Sequence, residues 1–194
     1  MHRLLIAYSL FFGIVLSVSG CIGAGVIGAA AVIATQATTD PRTVGHQLDD
    51  HTLKVRILTA LRQDQVVQKN TRYQLHLHTG VVLLTGQAPT PSLQQQIEQI
   101  VASVPGILAI HNEIRPLPVI TAQVAAHDVW LTTKIRSQLL ANKKIKFNHV
   151  KLAVENREVF LYGSVTHVEA ETAVEIARQT QGVNKVIKLF QYIT

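Results

Sequence analysis

The stretch Asp50-His51-Thr52-Leu53-Lys54-Val55-Arg56-Ile57 (DHTLKVRI) is written again 78 residues later as Asp128-Val129-Trp130-Leu131-Thr132-Thr133-Lys134-Ile135 (DVWLTTKI). Leu61 continues the match to Leu139. In both copies the apolar residues recur every four positions, the spacing of a helix with one buried stripe. Asp50 and Asp128 stand where N-caps belong, so the reading starts each helix there. The correspondence continues downstream. Val82-Leu83-Leu84-Thr85-Gly86 pairs with Val159-Phe160-Leu161-Tyr162-Gly163 at an offset of 77, and Gly106-Ile107 pairs with Gly182-Val183 at an offset of 76. A drifting offset is what small loop deletions leave in a duplicated unit.

Each copy spells the same elements. Tyr73, Leu75 and Leu77 alternate with Arg72, Gln74, His76 and His78, the pattern of a half-buried strand whose polar face meets solvent. Thr79-Gly80 makes a turn into the apolar run Val81–Leu84, giving a hairpin, and Val150–Val154 with Glu158–Tyr162 repeats it. A second helix follows in each unit, carrying Leu93, Ile97, Ile100, Val101 and Val104 in one and Ala170, Ala173, Val174 and Ala177 in the other. Pro105-Gly106 and Gly182 end these helices. Ile107–Ile114 and Val183–Ile193 close the units as strands. The expected fold class is α+β: two tandem units ordered α-β-β-α-β, each with two helices on one face of a three-stranded mixed sheet. The units occupy residues 46–115 and 124–194.

The lone cysteine of the chain sits at the other end, in Leu16-Ser17-Val18-Ser19-Gly20-Cys21. His2 and Arg3, the apolar stretch Leu4–Val18 and small residues before Cys21 form the three parts of a secretory signal. Val18-Ser19-Gly20-Cys21 resembles the lipobox of bacterial lipoproteins, in which the cysteine is acylated and becomes the first mature residue. Residues 1–20 are therefore read as a signal peptide, and residues 21–45 as a lipidated, Gly/Ala-rich tether. Uncleaved, the apolar run is long enough to span a bilayer at about 20 residues, which is the rival reading. Ile22 rather than Asp after the cysteine implies, by the same resemblance, transfer to the outer membrane. One cysteine allows no intramolecular disulfide even after export.

The net charge of +6 is unevenly spread. Residues from Gln123 onward hold ten Lys or Arg against six Asp or Glu, whereas Thr43 to Arg115 hold six against five. Basic surfaces suit nucleic acid or anionic membrane, and export leaves the membrane, with no nucleic-acid partner.

The element order, with Gly86 and Gly163, Gly106-Ile107 and Gly182-Val183, and Asn112-Glu113-Ile114, resembles the BON domain family. Lipobox, the segment Ala37-Thr38-Thr39-Asp40-Pro41-Arg42-Thr43-Val44-Gly45 and two such units together resemble the dual-BON outer-membrane lipoproteins. That resemblance implies an anionic-phospholipid site on the second domain, a role in outer-membrane integrity, division and envelope stress, and association with the outer-membrane protein assembly machinery.

The residues can be asked independently where lipid would sit. On a wheel, Trp130 falls about 140° from the centre of the Leu131, Ile135, Leu139 stripe. Thr133, Lys134, Ser137 and Ala141 share its side, and Val129 precedes it. The expected phospholipid-binding residues are Val129, Trp130, Thr133, Lys134 and Ser137, with Lys143, Lys144, Lys146 and Lys151 nearby for anionic headgroups. The rival is Trp130 packed against the other unit or against Pro116-Leu117-Pro118. Thr52 at the matching position of the first unit cannot act as Trp130 would, so that unit is read as scaffold or partner-facing.

Other chemistry is weak. His76 and His78 share a strand face, but no third ligand has suitable spacing, and His111, His127, His149 and His167 read as scattered surface residues. Glu155 and Glu158 flank a hairpin turn and read as solvated. No nucleophile elbow, P-loop or dinucleotide fingerprint occurs, so the chain is expected to be no enzyme and to carry no cofactor or metal. Two other functions stay open: a periplasmic protein-binding adaptor of the envelope assembly machinery, and a secreted pore-former.

Overall fold

A computed structural model describes residues 44–194, with side chains from Asp49 onward. The signal peptide, Cys21 and the tether lie outside the described residues. The first unit runs α1 (Val44–Gln63), α2 (Gln65–Asn70), β1 (Arg72–His78), β2 (Val81–Gln87), α3 (Pro91–Ala102) and β3 (Ala109–Arg115). The second runs α4 (Ala122–Ala141), β4 (Lys151–Glu155), β5 (Glu158–Val165), α5 (His167–Gln179) and β6 (Lys185–Tyr192). Each sheet is mixed: β2 pairs antiparallel with β1 and parallel with β3, and β5 does the same with β4 and β6. The α+β architecture expected from the repeat is present twice.

The apolar stripes bury as their spacing predicts. Leu53, Ile57 and Leu61 of α1 meet Ile97 and Val101 of α3 over Leu75, Val82, Leu84 and Ile114 of the sheet. Leu131, Ile135 and Leu139 of α4 meet Ala170, Ala173, Val174 and Ala177 of α5 over Leu152, Val154, Val159 and Leu161. Each unit thus closes a core of its own from described residues. Local chemistry sets the helix starts. Thr90 caps α3 with Pro91 at the first position, and Thr166 with Glu169 forms a reciprocal capping box on α5. The short α2 was not expected; Asp64 starts it by accepting from the amides of Val66 and Val67, and it buries Val67.

Asp50 and Asp128 are not N-caps. Their helices begin earlier, α1 at Val44 and α4 at Ala122 behind a Thr121 cap, so both carboxylates sit inside a helix and reach sideways. Asp50 accepts from the amides of Thr79 and Gly80 at 2.8 Å each, and Asp128 from those of Asn156 and Arg157 at 2.7 and 2.9 Å. These are the hairpin-turn residues, all at positive φ: Thr79 52°, Gly80 72°, Asn156 49°, Arg157 63°. Left-handed backbone is costly for residues other than glycine, and the charged acceptor from the helix offsets that cost.

The polar face of β1 is not solvent-facing. It is covered by the second sheet. Leu83 packs with Ala153 and Phe160, joined by Tyr162, Ile187 and Leu189, in a third apolar cluster that belongs to both units. The layers therefore run helices, sheet, sheet, helices. Glu155 is 4% exposed, not solvated. It accepts from Arg72 through both oxygens, from Gln74 at 2.9 Å and from Gln87 at 2.8 Å. Glu158 takes Arg115 at 2.6 Å. His78, buried, meets Ser164 at 2.9 Å. The strand histidines therefore do not face water, because a second sheet occupies that side.

Candidate functional site

Helix α4 carries the expected residues on its outer side. With Leu131, Ile135 and Leu139 fully buried, the 100° step per residue leaves Val129 67% exposed and Trp130 50% exposed. The aromatic and cation contacts of the Trp130 ring come from its own helix. Lys134 sets its Nζ 4.8 Å from the ring centroid one turn on, and His127 tilts its ring at 5.4 Å one turn back. A cation over an indole face at this distance is attracted by the ring quadrupole. His127, Trp130 and Lys134 therefore form a ladder along the helix at three- and four-residue spacing.

His127 is the member that reading the sequence missed. It is half-buried, and a Cβ on Gly182 would lie 3.1 Å from its ring, so the tight turn before β6 wedges against it. Its position three residues before Trp130 was the available signal. His111 and His149 are likewise half-buried, His149 beside Glu169 at 3.3 Å, while His167 is exposed and stacked on Tyr192.

Thr133 and Ser137 lie on the exposed side, but each hydroxyl donates back to the helix: Thr133 to the Val129 carbonyl at 3.0 Å, Ser137 to that of Lys134 at 2.8 Å. Their protons are already used, so they offer an anion acceptor lone pairs rather than donors. Lys134 is the charged donor of the group. Lys143, Lys144 and Lys146 are exposed beyond the end of α4. Ala141 lies about 16 Å along the axis from Trp130, so the lysines and the indole address a surface rather than one headgroup. Among the described residues no group of three His, Cys, Asp or Glu could hold a metal ion, and no helix is long and apolar enough to cross a membrane.

In the first unit the matching positions are Asp49, Thr52 and Arg56. A groove of about 390 Å³ opens there between α1, the hairpin turn and Leu108, and the Arg56 guanidinium turns to the Pro105 carbonyl at 3.4 Å. The aromatic ladder is a property of the second unit alone.

The glycines that accompany the repeat have a steric reason. A Cβ on Gly86 would lie 2.0 Å from the Arg72 carbonyl oxygen, and one on Gly163 would lie 2.1 Å from that of His149.

Comparison with known proteins bears on the two units and on the chain as a whole. The BON domain profile matches residues 49–117 and 127–194. The chain is 36% identical over 185 residues to the outer membrane lipoprotein DolP of Haemophilus influenzae, covering 95% of both chains. It is 41% identical over 154 residues to the 21 kDa hemolysin of Actinobacillus pleuropneumoniae, covering 79% of each. It is 23% identical over 146 residues to the osmotically-inducible protein Y of Escherichia coli, covering 74% of this chain and 72% of that one. None of the three is named for a catalytic activity. Two matched domains and similarity along nearly the whole length place the chain in the BON-domain family, as a dual-BON outer-membrane lipoprotein.

Proposed function

We propose that the protein is held in the outer membrane by acyl chains on Cys21, with both BON units in the periplasm, and that its second unit binds anionic phospholipid through the outer face of α4. In this reading it acts without catalysis in maintaining outer-membrane integrity, at division sites and under envelope stress. The observation that carries it is Trp130: half-exposed on a helix whose apolar stripe is already satisfied, with Lys134 over its ring. An indole prefers the headgroup zone of a bilayer, and a lysine near an anionic surface contributes about 1 kcal/mol. Val129 adds apolar surface beside the ring, and Thr133 and Ser137 border it. The first unit, lacking the ladder, serves as scaffold.

Trp130 is the single tryptophan, so its emission reports this site alone. Protein lacking residues 1–21, which carries no acyl chain, is mixed with zwitterionic vesicles and with vesicles containing anionic lipid. A blue shift with the anionic series alone, abolished by high salt, is expected. Trp130→Glu should lose vesicle sedimentation while keeping its far-ultraviolet circular dichroism. An unchanged spectrum in both series would move the assignment to an adaptor of the envelope assembly machinery. Release of liposome contents would instead favour the activity for which the Actinobacillus relative is named.

A further inference from the structure

The repeat supplies its own comparison. The Leu108 amide donates to the Gly80 carbonyl at 2.9 Å, and the Asn184 amide donates to that of Arg157 at the same distance, so the turns after the second helices are equivalent in the two units. What fills the space beside them is not. In the second unit the His127 ring lies over Gly182, where a Cβ would come within 3.1 Å of it. In the first unit Asp49 stands at the position of His127. A Cβ on Gly106 would there meet, among the described residues, nothing nearer than Leu53 Cδ1 at 3.8 Å and Arg56 Nη2 at 3.9 Å. That open place belongs to the groove of about 390 Å³ whose lining includes Asp49, Leu53, Arg56, Gly106 and Leu108. Leu108, where the second unit has the polar Asn184, is 76% exposed. It lies across the hairpin turn, its Cγ 2.9 Å from where a Cβ on Gly80 would sit, and so walls the groove instead of entering the core. Apolar surface gathered into a concavity marks a binding site in a way that scattered exposed leucines do not.

We infer that this groove of the first unit docks a partner polypeptide through one aromatic side chain, phenylalanine or tyrosine, followed directly by lysine or arginine. The ring takes the place over Gly106 that the His127 ring takes over Gly182, between Leu53 and Leu108. The Arg56 guanidinium borders that place, and a planar guanidinium stacks on an aromatic face, which favours a ring over an aliphatic side chain. Charge selects the neighbour. The lining holds two carboxylates and one guanidinium, whereas the matching His127, Asp128 and Lys134 hold one carboxylate. Asp50 is engaged by the turn amides, so Asp49, exposed on α1, is the carboxylate that a partner's cation meets. The groove opens between a helix and a turn, so a side chain enters while its backbone stays outside. The inference goes beyond the lipid reading: it gives a surface to the unit without the ladder and requires neither Trp130 nor an acyl chain.

The test uses protein lacking residues 1–21 with the blocked peptide Gly-Ser-Phe-Lys-Ser-Gly, followed in amide nitrogen–proton spectra. Saturable shifts at Gly80, Gly106 and Leu108 are expected. Alanine in place of the ring should weaken binding about tenfold, as loss of a largely buried aromatic side chain would. Glutamate in place of the lysine should weaken it about threefold at low salt, the reach of an exposed charge pair. Asp49→Lys should reverse that second preference. Leu108→Ser, at an exposed position that does not threaten the fold, should weaken the parent peptide about fivefold. Trp130→Glu should leave peptide binding unchanged, so this inference and the lipid reading fail separately. Shifts that do not saturate, an alanine peptide or Leu108→Ser that binds as the parents do, or a charge preference unmoved by Asp49→Lys would each overturn the assignment. So would phenethylamine binding as tightly as the peptide, which gives the groove to a free aromatic amine. A several-fold gain on also removing residues 22–40 would overturn it too, giving the groove to the chain's own tether.

Discussion

Replacing Glu155 with alanine is the sharpest test of how the two units are joined. The carboxylate is 4% exposed, and three side chains of the first unit converge on it: Arg72, Gln74 and Gln87. Hydrogen bonds to a charged group contribute about 1.5–3 kcal/mol each, but the three losses are not equal. Arg72 is 29% exposed and recovers water when its partner goes, so its share is small. Gln74 is half-buried and recovers part. Gln87 is fully buried, and its amide is left with an unsatisfied donor, at about 1–3 kcal/mol. The sum falls near 3 kcal/mol, within the range measured when one partner of a buried pair is removed. Because each unit keeps its own core, the loss should fall on the interface. Urea unfolding followed by circular dichroism should shift its midpoint down by that amount and split into two transitions, and small-angle scattering should show a larger radius of gyration before either. Glu155→Gln keeps one acceptor oxygen but turns an amide toward donors, so it should fall between parent and alanine. A single unchanged transition, with a loss under about 1 kcal/mol, would refute the claim that Glu155 joins the sheets.

Three further outcomes follow from the same geometry. Gly163→Ala puts a Cβ 2.1 Å from the His149 carbonyl oxygen at φ 122°, so strand β5 must move away from that carbonyl; a loss above about 3 kcal/mol is expected in thermal melts, and Gly86→Ala should match it. Asp128→Ala frees two turn amides held by a charged acceptor, costing about 2 kcal/mol and speeding hydrogen exchange at Asn156 and Arg157, while Asp128→Asn recovers part of the loss. His76 titrates at about 4 when folded against 6.5 for the free side chain, so between those values the unfolded chain binds more protons. Its contribution is complete above pH 6.5 and lost as pH falls toward 4, reaching on the order of 2–3 kcal/mol; His76→Gln should flatten that part of the stability–pH curve.

The reading of α4 shows how far a sequence carries and where it stops. Leu131, Ile135 and Leu139 at four-residue spacing identify the buried stripe, and helix geometry then puts Trp130 outside it. That inference is local, so it holds wherever the helix packs. The start of the helix was misread because Ala122–Ala126 has no stripe of its own and Thr121, the true cap, looks like linker. Asp128 satisfied every rule for a cap, yet its partners are amides 28 and 29 residues away. His127 was passed over because a half-buried imidazole is defined by what wedges against it, here Gly182.

The sequence alone determines the duplication, the shared α-β-β-α-β order and the core side of these helices and strands, because these rest on periods of about 3.6 and two residues that any stable packing must honour. It also supplies the reading of the N-terminal segment as a signal and lipobox, an expectation carried by contiguous residues outside the described ones. Only the tertiary structure decides what covers the polar faces of the sheets. Alternation along β1 separates Arg72, Gln74, His76 and His78 from the core, but says nothing about whether water or protein lies beyond them. The answer is a carboxylate 83 residues from Arg72, reached only once both hairpins have formed and the second sheet has turned to face the first.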